Sequence, residues 1–239
     1  MAEVKYKRVL LKLSGESLCN VGGFGIDDEA IRPVAERIAK ICELGADVAI
    51  VVGGGNFLRG ATFSKDSCIP RHTADYMGMM ATVINACALR ETLEACGQSA
   101  RVMSAIDVPA VCEPFVRRRC LHHFDEGRAV ILAGGTGNPF FSTDTCAALR
   151  ASEINAELII KATKVDGVYT DDPMTNPDAT LLPEISYQEV LEKSLKVFDA
   201  AAISLCSENN IPIVVLNIFK EGNITKTLYG EKIGTLISR

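Results

Sequence analysis

Two lysines stand near the ends of two apolar stretches that have the composition of buried β-strands. Lys12 lies between Val9–Leu11 and Gly15, and Lys161 follows Leu158–Ile160. The carboxyl ends of neighbouring parallel strands meet at one edge of a sheet, so the two cations could lie side by side there. Such a pair could spread charge from the equatorial oxygens of a transferring phosphoryl group, whereas either lysine alone would be interpreted as a solvated surface cation.

Three glycine-rich turns follow predicted strands, at residues 13–15, 53–56 and 134–137. A glycine turn after a parallel strand lets backbone N–H groups approach an anion, and the dipole of the following helix adds to the attraction. One such turn would indicate no more than a tight connection. Three turns at the same sheet edge favour a site for several phosphates.

Neither common phosphate-binding fingerprint is present in these turns. Gly55–Gly60 opens with the spacing of a Walker A loop, but Ala61 and Thr62 stand where that motif needs lysine followed by serine or threonine. The G-x-G-x-x-G pattern is absent from all three turns. The sequence therefore disfavours a standard P-loop ATPase and a dinucleotide-dependent oxidoreductase.

Four further side chains could act at such a site. Asp144 precedes a helical pattern, where it could be an N-cap and also a carboxylate that orients both lysines. Arg59 follows the second glycine turn and could clamp a phosphate, or could be a solvated surface cation. Asp75 could accept a hydrogen bond from a sugar hydroxyl, or could be a first-turn acid that complements a helix dipole. Tyr169 offers a ring on which a base could stack.

The elements that must position these residues alternate between short apolar strands and amphipathic helices. This alternation predicts an α/β protein of three layers, with helices on both faces of a mostly parallel central sheet. The predicted strands are Val9–Leu13, Val48–Val52, Arg101–Ser104, Ala129–Ala133, Leu158–Ala162, Ile211–Asn217 and Thr235–Ile237. The predicted helices are Asp27–Leu44, Thr73–Cys96, Thr143–Ile154, Tyr187–Leu195 and Asp199–Glu208.

Two local signals refine this prediction. Asp27 is the expected N-cap of the first helix, and Pro33 predicts either a kink or a later start, since an interior proline loses a hydrogen bond. The stretch Asp166–Pro183 contains three prolines and is predicted to be rich in loops. It is the best candidate for a boundary between two lobes.

Composition excludes several classes of function. The net charge of −5 argues against binding to nucleic acid or an anionic membrane, which needs a basic surface. We expect no signal peptide, because the apolar run near the N-terminus is short, is broken by Lys12 and has no small-residue cleavage site. We expect no membrane span, because no stretch approaches ~18 consecutive apolar residues. Nine cysteines without a C-x-x-C pair indicate a reducing cytosol. The three histidines lack zinc spacing, so we expect no metal cluster of protein ligands.

Taken together, these motifs resemble the bacterial uridylate (UMP) kinase family of the amino-acid kinase superfamily, over essentially the whole chain. Lys12 and Asp144 belong to elements shared across the superfamily, and the stretches around Asn56–Gly60 and Gly137–Phe141 are specific to the uridylate branch. The matching segments are Lys12–Gly15, Gly22–Asp27, Gly53–Gly60, Asp75–Met79, Thr136–Asp144 and Lys161–Gly167.

The resemblance implies the amino-acid kinase fold and transfer of the γ-phosphoryl group of ATP to UMP, with Mg²⁺ carried on the nucleotide and no metal bound by protein ligands. Lys12 and Lys161 would stabilise the transition state, and Asp144 would hold them. The implied ATP contacts are Lys12, Leu13, Ser14, Gly15, Gly55, Arg59, Thr163, Tyr169 and Asp172. The implied UMP contacts are Gly54, Asp75, Thr136, Gly137, Asn138, Pro139, Phe140, Phe141, Ser142 and Thr143.

The resemblance also implies a cytoplasmic homohexamer in pyrimidine biosynthesis, activated by GTP and inhibited by UTP, with a UMP-binding lobe at 1–160 and an ATP-binding lobe at 161–239. Glu94 departs from the family pattern, because related sequences can carry a basic residue there and an acid would repel a triphosphate. The implied effector residues are Asn20, Val21, Gly22, Gly23, Phe24, Gly25, Arg90, Arg101 and Arg128.

Three alternatives compete with this interpretation. Another kinase of the superfamily, acting on a carboxylate or carbamate, would share both lysines and Asp144 but would lack Asp75 and the run 136–143. A non-catalytic nucleotide sensor should have lost one of the three charged residues. A Rossmann oxidoreductase would need the missing glycine pattern. Arg117–Arg119 and His122-His123 have no assigned role and are interpreted as a solvated helix face.

Overall fold

The computed structural model describes residues 3–20, 22–65, 67–171, 175–176, 178–193, 195 and 197–239. Val21 and Asp172, predicted to contact the effector and ATP respectively, lie outside these described residues. Among the described residues, no helix combines the length and apolar character needed to cross a membrane.

Short strands and longer helices alternate along the chain. The strands are β1 (Arg8–Leu13), β2 (Asp47–Val52), β3 (Ala100–Ser104), β4 (Glu113–Pro114), β5 (Ala129–Ala133), β6 (Leu158–Thr163), β7 (Val168–Tyr169), β8 (Leu181–Leu182), β9 (Glu184–Ser186), β10 (Ile213–Asn217) and β11 (Thr235–Ser238). The helices are α1 (Asp28–Glu43), α2 (Gly60–Phe63), α3 (Arg71–Ala95), α4 (Arg117–Asp125), α5 (Thr143–Ile154), α6 (Tyr187–Glu192), α7 (Ala200–Asn209) and α8 (Asn223–Leu228), with a 3-10 turn at Gly15–Leu18.

Nine strands form one sheet in the order β4-β3-β5-β2-β1-β6-β10-β11-β9. Its neighbouring strands run parallel, except that β10 and β11 are antiparallel. The strands β7 and β8 form a separate antiparallel pair. The prediction of a mostly parallel sheet is confirmed.

Helices cover both faces of this sheet, because the side chains of each strand alternate between two buried layers. Val9 and Leu11 of β1 pack in the layer that contains residues of α1, α3 and α8. Leu10 packs in the opposite layer with residues of α4, α5, α6 and α7. The three-layer prediction is confirmed, and Lys12, two residues after Leu10, lies on the α5 face.

Most predicted boundaries agree with the structure to within two residues. The strand predicted to begin at Ile211 begins at Ile213, since Pro212 has no N–H to donate to a ladder. The long helix starts at Arg71, directly after Pro70, whose extended backbone occupies the N-cap position. Asp199 is the N-cap of α7 rather than its first residue.

The structure tests three local predictions. The helix α1 begins at Asp28 with Asp27 as its N-cap, so the predicted cap is confirmed and the alternative of a later start near Pro33 was wrong. The Asp166–Pro183 stretch includes the two-residue strands β7 and β8, and its other described residues lie outside helices and strands, as expected of a loop-rich stretch. His123 is buried rather than part of a solvated face, because it lies between a carboxylate and a guanidinium from neighbouring elements.

The short elements α2, α8, β4 and β9 were not predicted, because they are too short to carry a periodic pattern. The helix α4 contains Arg117–Arg119 and His122-His123, which the sequence analysis attributed to a helix face without giving its bounds. Residue 160 lies inside β6, which is hydrogen-bonded to a strand on each side. The division into lobes at 1–160 and 161–239 stays a prediction.

Candidate active site

Two lysines and one carboxylate meet at the end of the central strands. The strands β1 and β6 are neighbours, and their register pairs Lys12 with Lys161. The first turn of α5 brings Asp144 over this pair. Lys12 Nζ lies 2.6 Å from Asp144 Oδ1, and Lys161 Nζ lies 3.0 Å from Asp144 Oδ2. The structure therefore brings together the three residues that the sequence singled out for phosphoryl transfer.

The N-cap of α5 is Ser142 and not Asp144. Ser142 Oγ accepts hydrogen bonds from the N–H groups of Asp144 at 2.9 Å and Thr145 at 3.2 Å. The N-cap interpretation of Asp144 was wrong, because the serine hydroxyl already satisfies those helix donors. The Asp144 carboxylate is thus left to face the lysines, at a helix N-terminus that favours negative charge.

Burial and charge act in opposite directions in this cluster. Burial alone would raise the pKa of the Asp144 carboxyl, but the ammonium groups of Lys12 and Lys161 outweigh burial and hold that pKa below its ordinary value. Burial lowers the pKa of Lys161, although Asp144 opposes the shift. Within the cluster, two ammonium groups face one carboxylate, and the charge of Asp199 also acts on Lys161.

The two oxygens of Asp144 are held differently. Oδ2 accepts an aligned hydrogen bond from Lys161, which also donates to the Val197 carbonyl. Oδ1 is close to Lys12 as an ion pair, but among the described residues no donor is aligned on it for a hydrogen bond. Lys161 is therefore held by two acceptors, whereas among the described residues Lys12 is held by the Asp144 carboxylate.

A cleft of about 690 Å³ opens beside this cluster, between the glycine turns and α3. The predicted site residues that line it are Lys12, Ser14, Gly15, Gly54, Gly55, Arg59, Asp75, Thr136, Phe140, Phe141, Ser142 and Thr143. Residues predicted to bind ATP and residues predicted to bind UMP thus border one cavity.

Two of the glycines permit contacts that a side chain would prevent. A Cβ atom on Gly15 would lie 2.4 Å from Asn56 Oδ1 and 2.6 Å from the Gly53 carbonyl oxygen. A Cβ atom on Gly54 would lie 2.7 Å from the Gly78 carbonyl oxygen on α3. The first two glycine turns therefore pack against each other and against α3, with bare backbone facing the cleft.

Asp75 positions the third glycine turn. Its carboxylate accepts from Arg71 Nε at 2.8 and 2.9 Å and from the Phe140 N–H at 2.8 Å. Phe140 has a positive φ of 73°, a conformation that needs such support in a residue other than glycine. Asp75 is the fifth residue of α3, so the interpretation as a first-turn acid was wrong.

Some predicted site residues do not line this cleft. Leu13 is fully buried, so only its backbone is available to a nucleotide. Thr163 is the last residue of β6, and its hydroxyl donates to the backbone carbonyl of Val165 or Leu216. Tyr169 is the last residue of β7. The other predicted residues outside the cleft lining are Gly137, Asn138, Pro139, Lys161 and Asp144, of which Asp144 borders an adjoining cavity of about 430 Å³.

The predicted effector residues lie in two places. The loop with Asn20, Gly22, Gly23, Phe24 and Gly25 lies beside the second glycine turn, where the Phe24 and Phe57 rings are 5.5 Å apart. The three arginines each have an acidic partner: Arg90 pairs with Glu91, Arg101 with Glu94 at 3.1 Å, and Arg128 with Glu126. The departure at Glu94 therefore neutralises one of the predicted effector arginines.

Sequence reasoning missed Asp199, whose carboxylate borders the cleft. Asp199 accepts from the hydroxyls of Ser142 and Thr145 and from the Ala202 N–H at 2.8 Å. It joins the N-terminal ends of α5 and α7, and so supports the turn that carries Asp144. An aspartate directly before a helical pattern was the available signal, but that signal indicates only a cap.

Residues 7–217 match the amino acid kinase family. The chain is 53% identical to the uridylate kinase PUMPKIN, chloroplastic, of Arabidopsis thaliana over 234 residues, which are 98% of this chain and 69% of that protein. The crystal structure of UMP kinase from Bacillus anthracis matches with a TM-score of 0.94 at 39% identity, covering 98% of this chain and 96% of that chain. The UMP kinase from Ureaplasma parvum matches with a TM-score of 0.90 at 38% identity, covering 98% of this chain and all (100%) of that chain.

The two UMP kinase structures each cover 98% of this chain, so the similarity extends over the whole fold. They confirm the predicted amino-acid kinase fold and the predicted class of enzyme, a nucleoside monophosphate kinase. The chain therefore belongs to the amino acid kinase family, within its uridylate kinase branch.

Proposed function

We propose that the protein transfers the γ-phosphoryl group of Mg-ATP directly to UMP, forming ADP and UDP, in pyrimidine nucleotide biosynthesis. The observation that carries this proposal is the Lys12–Asp144–Lys161 cluster beside a cleft bordered by three glycine turns. A phosphoryl group in transfer spreads negative charge over its oxygens, which cations and backbone N–H groups stabilise. UMP as the acceptor is supported by the relatives named as uridylate or UMP kinases.

In this mechanism Lys12 and Lys161 stabilise the charge on the equatorial oxygens of the transferring group, and Asp144 holds the two ammonium groups apart and in place. The acceptor is a phosphate oxygen that is already anionic, so the reaction needs no strong general base. Positioning and electrostatics supply the rate enhancement, and direct in-line transfer needs no covalent intermediate on the protein.

We assign ATP to residues 12–15, Gly55, Arg59 and the end of β6, and UMP to Gly54, Asp75 and residues 136–143. The shared cleft supports this assignment, because residues of both sets and Lys12 border it. The Arg59 side chain is 63% exposed and pairs with Glu16. Arg59 can therefore exchange that carboxylate for a phosphate. Contacts of Thr163, Tyr169 and Asp172 with ATP stay predictions.

We propose that magnesium enters as part of the Mg-ATP substrate. Mg²⁺ commonly keeps several waters and binds through substrate phosphates and few carboxylates. In the part of the chain that the structure describes, no group of three or more His, Cys, Asp or Glu side chains is arranged to hold a metal ion. The phosphates of ATP and water would therefore supply most of its ligands.

An assay of ADP release with Mg-ATP tests the proposal. The acceptors to compare are UMP, CMP, dUMP, AMP, acetylglutamate and carbamate, each with and without GTP. We expect turnover with UMP and none with acetylglutamate or carbamate. Turnover with a carboxylate or carbamate in place of UMP would contradict the proposal, and tight UMP binding without turnover would indicate a nucleotide sensor.

Replacing Asp75 by asparagine should weaken UMP binding. The asparagine side chain would offer one oxygen where the carboxylate offers two, and would lose the charge that holds Arg71 and the Phe140 N–H. We expect the KM for UMP to rise about tenfold, a loss of ~1.4 kcal/mol, with a smaller change in the KM for ATP. Steady-state kinetics with each substrate varied in turn measures this, and an unchanged KM for UMP would contradict the assignment of Asp75.

We propose activation by GTP and inhibition by UTP, with Glu94 limiting the response to GTP. Glu94 pairs with Arg101 at 3.1 Å, so it both neutralises that arginine and repels a triphosphate. We expect Glu94→Arg to lower the GTP concentration for half-maximal activation, while Glu192→Arg, the same charge reversal at an exposed acid on α6, serves as the control. The measurement is a GTP titration of the UMP-dependent rate. The same half-maximal GTP concentration in Glu94→Arg and in the wild-type enzyme would contradict this role.

We propose that the chain assembles as a homohexamer. An apolar stripe on α3 supports self-association, because Tyr76, Met80 and Ile84 recur every four residues and are 43%, 51% and 52% exposed. We expect light scattering after gel filtration to give about six times the 25.7 kDa of one chain, and Ile84→Glu to give a smaller species. A monomer at micromolar concentration would contradict the proposal.

We propose a reducing compartment, the cytoplasm, as the location of the protein. All nine cysteines are free thiols. Cys120 and Cys206 are buried, and burial raises the pKa of each thiol to about 12. Thiols of this kind are poor nucleophiles at neutral pH, which supports the interpretation of these residues as small apolar side chains.

A further inference from the structure

Two buried amide side chains lie behind the glycine turn at residues 53–55, and the transfer chemistry uses neither of them. Asn85 stands on the buried face of α3 and is 0% exposed, and Asn56 follows the turn and is 4% exposed. A buried amide costs free energy unless its N–H and C=O groups are hydrogen-bonded. The partners of these two amides therefore indicate what the pair holds in place.

Every N–H bond of the two amides has an acceptor. Asn85 Nδ2 donates to the Gly53 carbonyl and to Asn56 Oδ1, both at 2.7 Å. Asn56 Nδ2 donates to Asn85 Oδ1 at 2.9 Å and to the Gly25 carbonyl at 2.7 Å. The two backbone carbonyls can only accept, so they determine which end of each amide is the nitrogen.

The amide pair joins two turns that border the cleft, and the loop at 22–25, to α3. The Gly25 N–H donates to the Asn56 carbonyl at 3.0 Å, so Gly25 and Asn56 are linked in both directions. Asn56 Oδ1 also occupies the space beside Gly15, where a Cβ atom would approach it to 2.4 Å. The turn at 13–15, the turn at 53–55 and the loop at 22–25 therefore share one buried support.

We propose that Asn85 is a positioning residue for the kinase reaction, and that the Asn56–Asn85 pair couples the loop at 22–25 to the glycine turn at 53–55. The inference rests on the proposed function, in which this turn presents N–H groups to a phosphate. Among the described residues, the N–H groups of Gly54 and Gly55 donate to no protein acceptor. The Gly54 N–H shares a planar peptide unit with the Gly53 carbonyl, which Asn85 holds, so its direction depends on Asn85. The Gly55 N–H follows in the next peptide unit, whose Gly54 carbonyl accepts from the Phe57 and Leu58 N–H groups.

The expected size of the effect follows from the sensitivity of phosphoryl transfer to geometry. A misplacement of about 1 Å in a positioning group can lower a rate by about 100-fold. Loss of the Asn85 donors frees the Gly53 carbonyl and breaks the reciprocal bond that holds Asn56. Both turns beside Lys12 then lose their common support, although Asn85 itself stays behind the cleft.

The test compares Asn85→Asp and Asn85→Ser with the wild-type enzyme and with Thr227→Val. Aspartate keeps the shape of the side chain but removes both N–H donors. Serine is too short to reach the Gly53 carbonyl, and it leaves room for water. The serine variant can therefore be assayed if the buried aspartate prevents folding. Thr227 is 2% exposed, and its hydroxyl donates to the Asn223 carbonyl at 2.8 Å, so its loss is a control for one buried hydrogen bond outside the cleft.

At a temperature where all variants are folded, we expect each Asn85 variant to lower kcat at least about tenfold and Thr227→Val to change it less than about twofold. We also expect faster amide hydrogen exchange at Gly25 in both Asn85 variants, although Asn85 and Gly25 are not hydrogen-bonded to each other. A folded Asn85 variant with wild-type kcat would overturn the positioning role. Unchanged exchange at Gly25 would overturn the coupling.

The wild-type enzyme is assayed first with Mg-ATP and UMP. Absence of UMP-dependent ADP release by the wild type would overturn the proposed function and, with it, the positioning role. The exchange measurement needs no substrate, so it still decides whether the amide pair couples the loop to the turn. The failure of one proposal is thereby distinguished from the failure of the other.

Discussion

Replacing Lys12 by methionine is expected to lower kcat for UMP phosphorylation by about 100- to 1,000-fold, the range found when one donor to a developing charge is removed. Methionine has nearly the length of lysine, so the buried β1 strand keeps its packing. What is lost is the ammonium group 2.6 Å from Asp144 Oδ1, at the mouth of the cleft. The remaining Lys161 would then be neutralised by Asp144, and the net positive charge of the cluster would disappear.

The measurement is kcat and KM for both substrates, with Lys40→Met as the matched control. Lys40 is an exposed lysine on α1 whose nearest acid is Glu221 at 3.8 Å, so its loss removes a cation without touching the cleft. We expect the KM for UMP to change little, because the Lys12 charge is used mainly in the transition state. A Lys12→Met enzyme within about tenfold of the wild-type kcat would contradict the role, since tenfold is only ~1.4 kcal/mol.

The position of this cluster could be predicted from the sequence because its determinants are local. An apolar strand interrupted by lysine near a glycine turn locates Lys12 and Lys161 at strand ends. The parallel topology then brings the two ends to one sheet edge, and the register that pairs them follows from keeping their apolar neighbours on the correct face. Asp144 is placed by the start of α5, which the sequence also indicates.

Other parts of the site depend on partners that are distant in sequence. Asn85 is one polar residue in an apolar helical pattern, and only the fold reveals that Gly53 and Asn56 face it, about 30 residues earlier in the chain. The same holds for His123, whose burial depends on Glu113 and Arg128. Periodicity identifies the buried face of a helix but does not identify which polar groups meet there.

Replacing Asp144 by asparagine should lower kcat by about 100-fold, because both ammonium groups lose the carboxylate that orients them. Asparagine has the same shape, but its amide nitrogen would face one of the two cations. Two buried ammonium groups then lose the carboxylate that contacts both of them, so we expect the free energy of unfolding at pH 7 to fall by about 3 kcal/mol. The control is Asp125→Asn, an exposed acid on α4, which should change neither quantity.

The pH dependence of the same variant distinguishes an electrostatic role from a purely structural one. Burial lowers the pKa of Lys161, and the Asp144 charge opposes that shift, so removing the charge should lower the pKa of Lys161 further. The alkaline limb of the kcat profile should therefore move to lower pH in Asp144→Asn. An unmoved alkaline limb would contradict the assignment of that limb to Lys161.

The Asp144 carboxylate should also make the stability of the wild-type protein depend on pH in acid. The pKa of Asp144 is lowered in the folded protein, so its ionised form stabilises the fold above the ordinary carboxyl pKa. That contribution is lost as the pH falls through the lowered, folded-state pKa. Urea unfolding at a series of pH values should show that the wild-type protein loses this part of its stability in acid, whereas Asp144→Asn, with no carboxylate to protonate, follows a flatter curve. If the free energy of unfolding fell equally with decreasing pH in both proteins, the lysines would not stabilise the Asp144 charge.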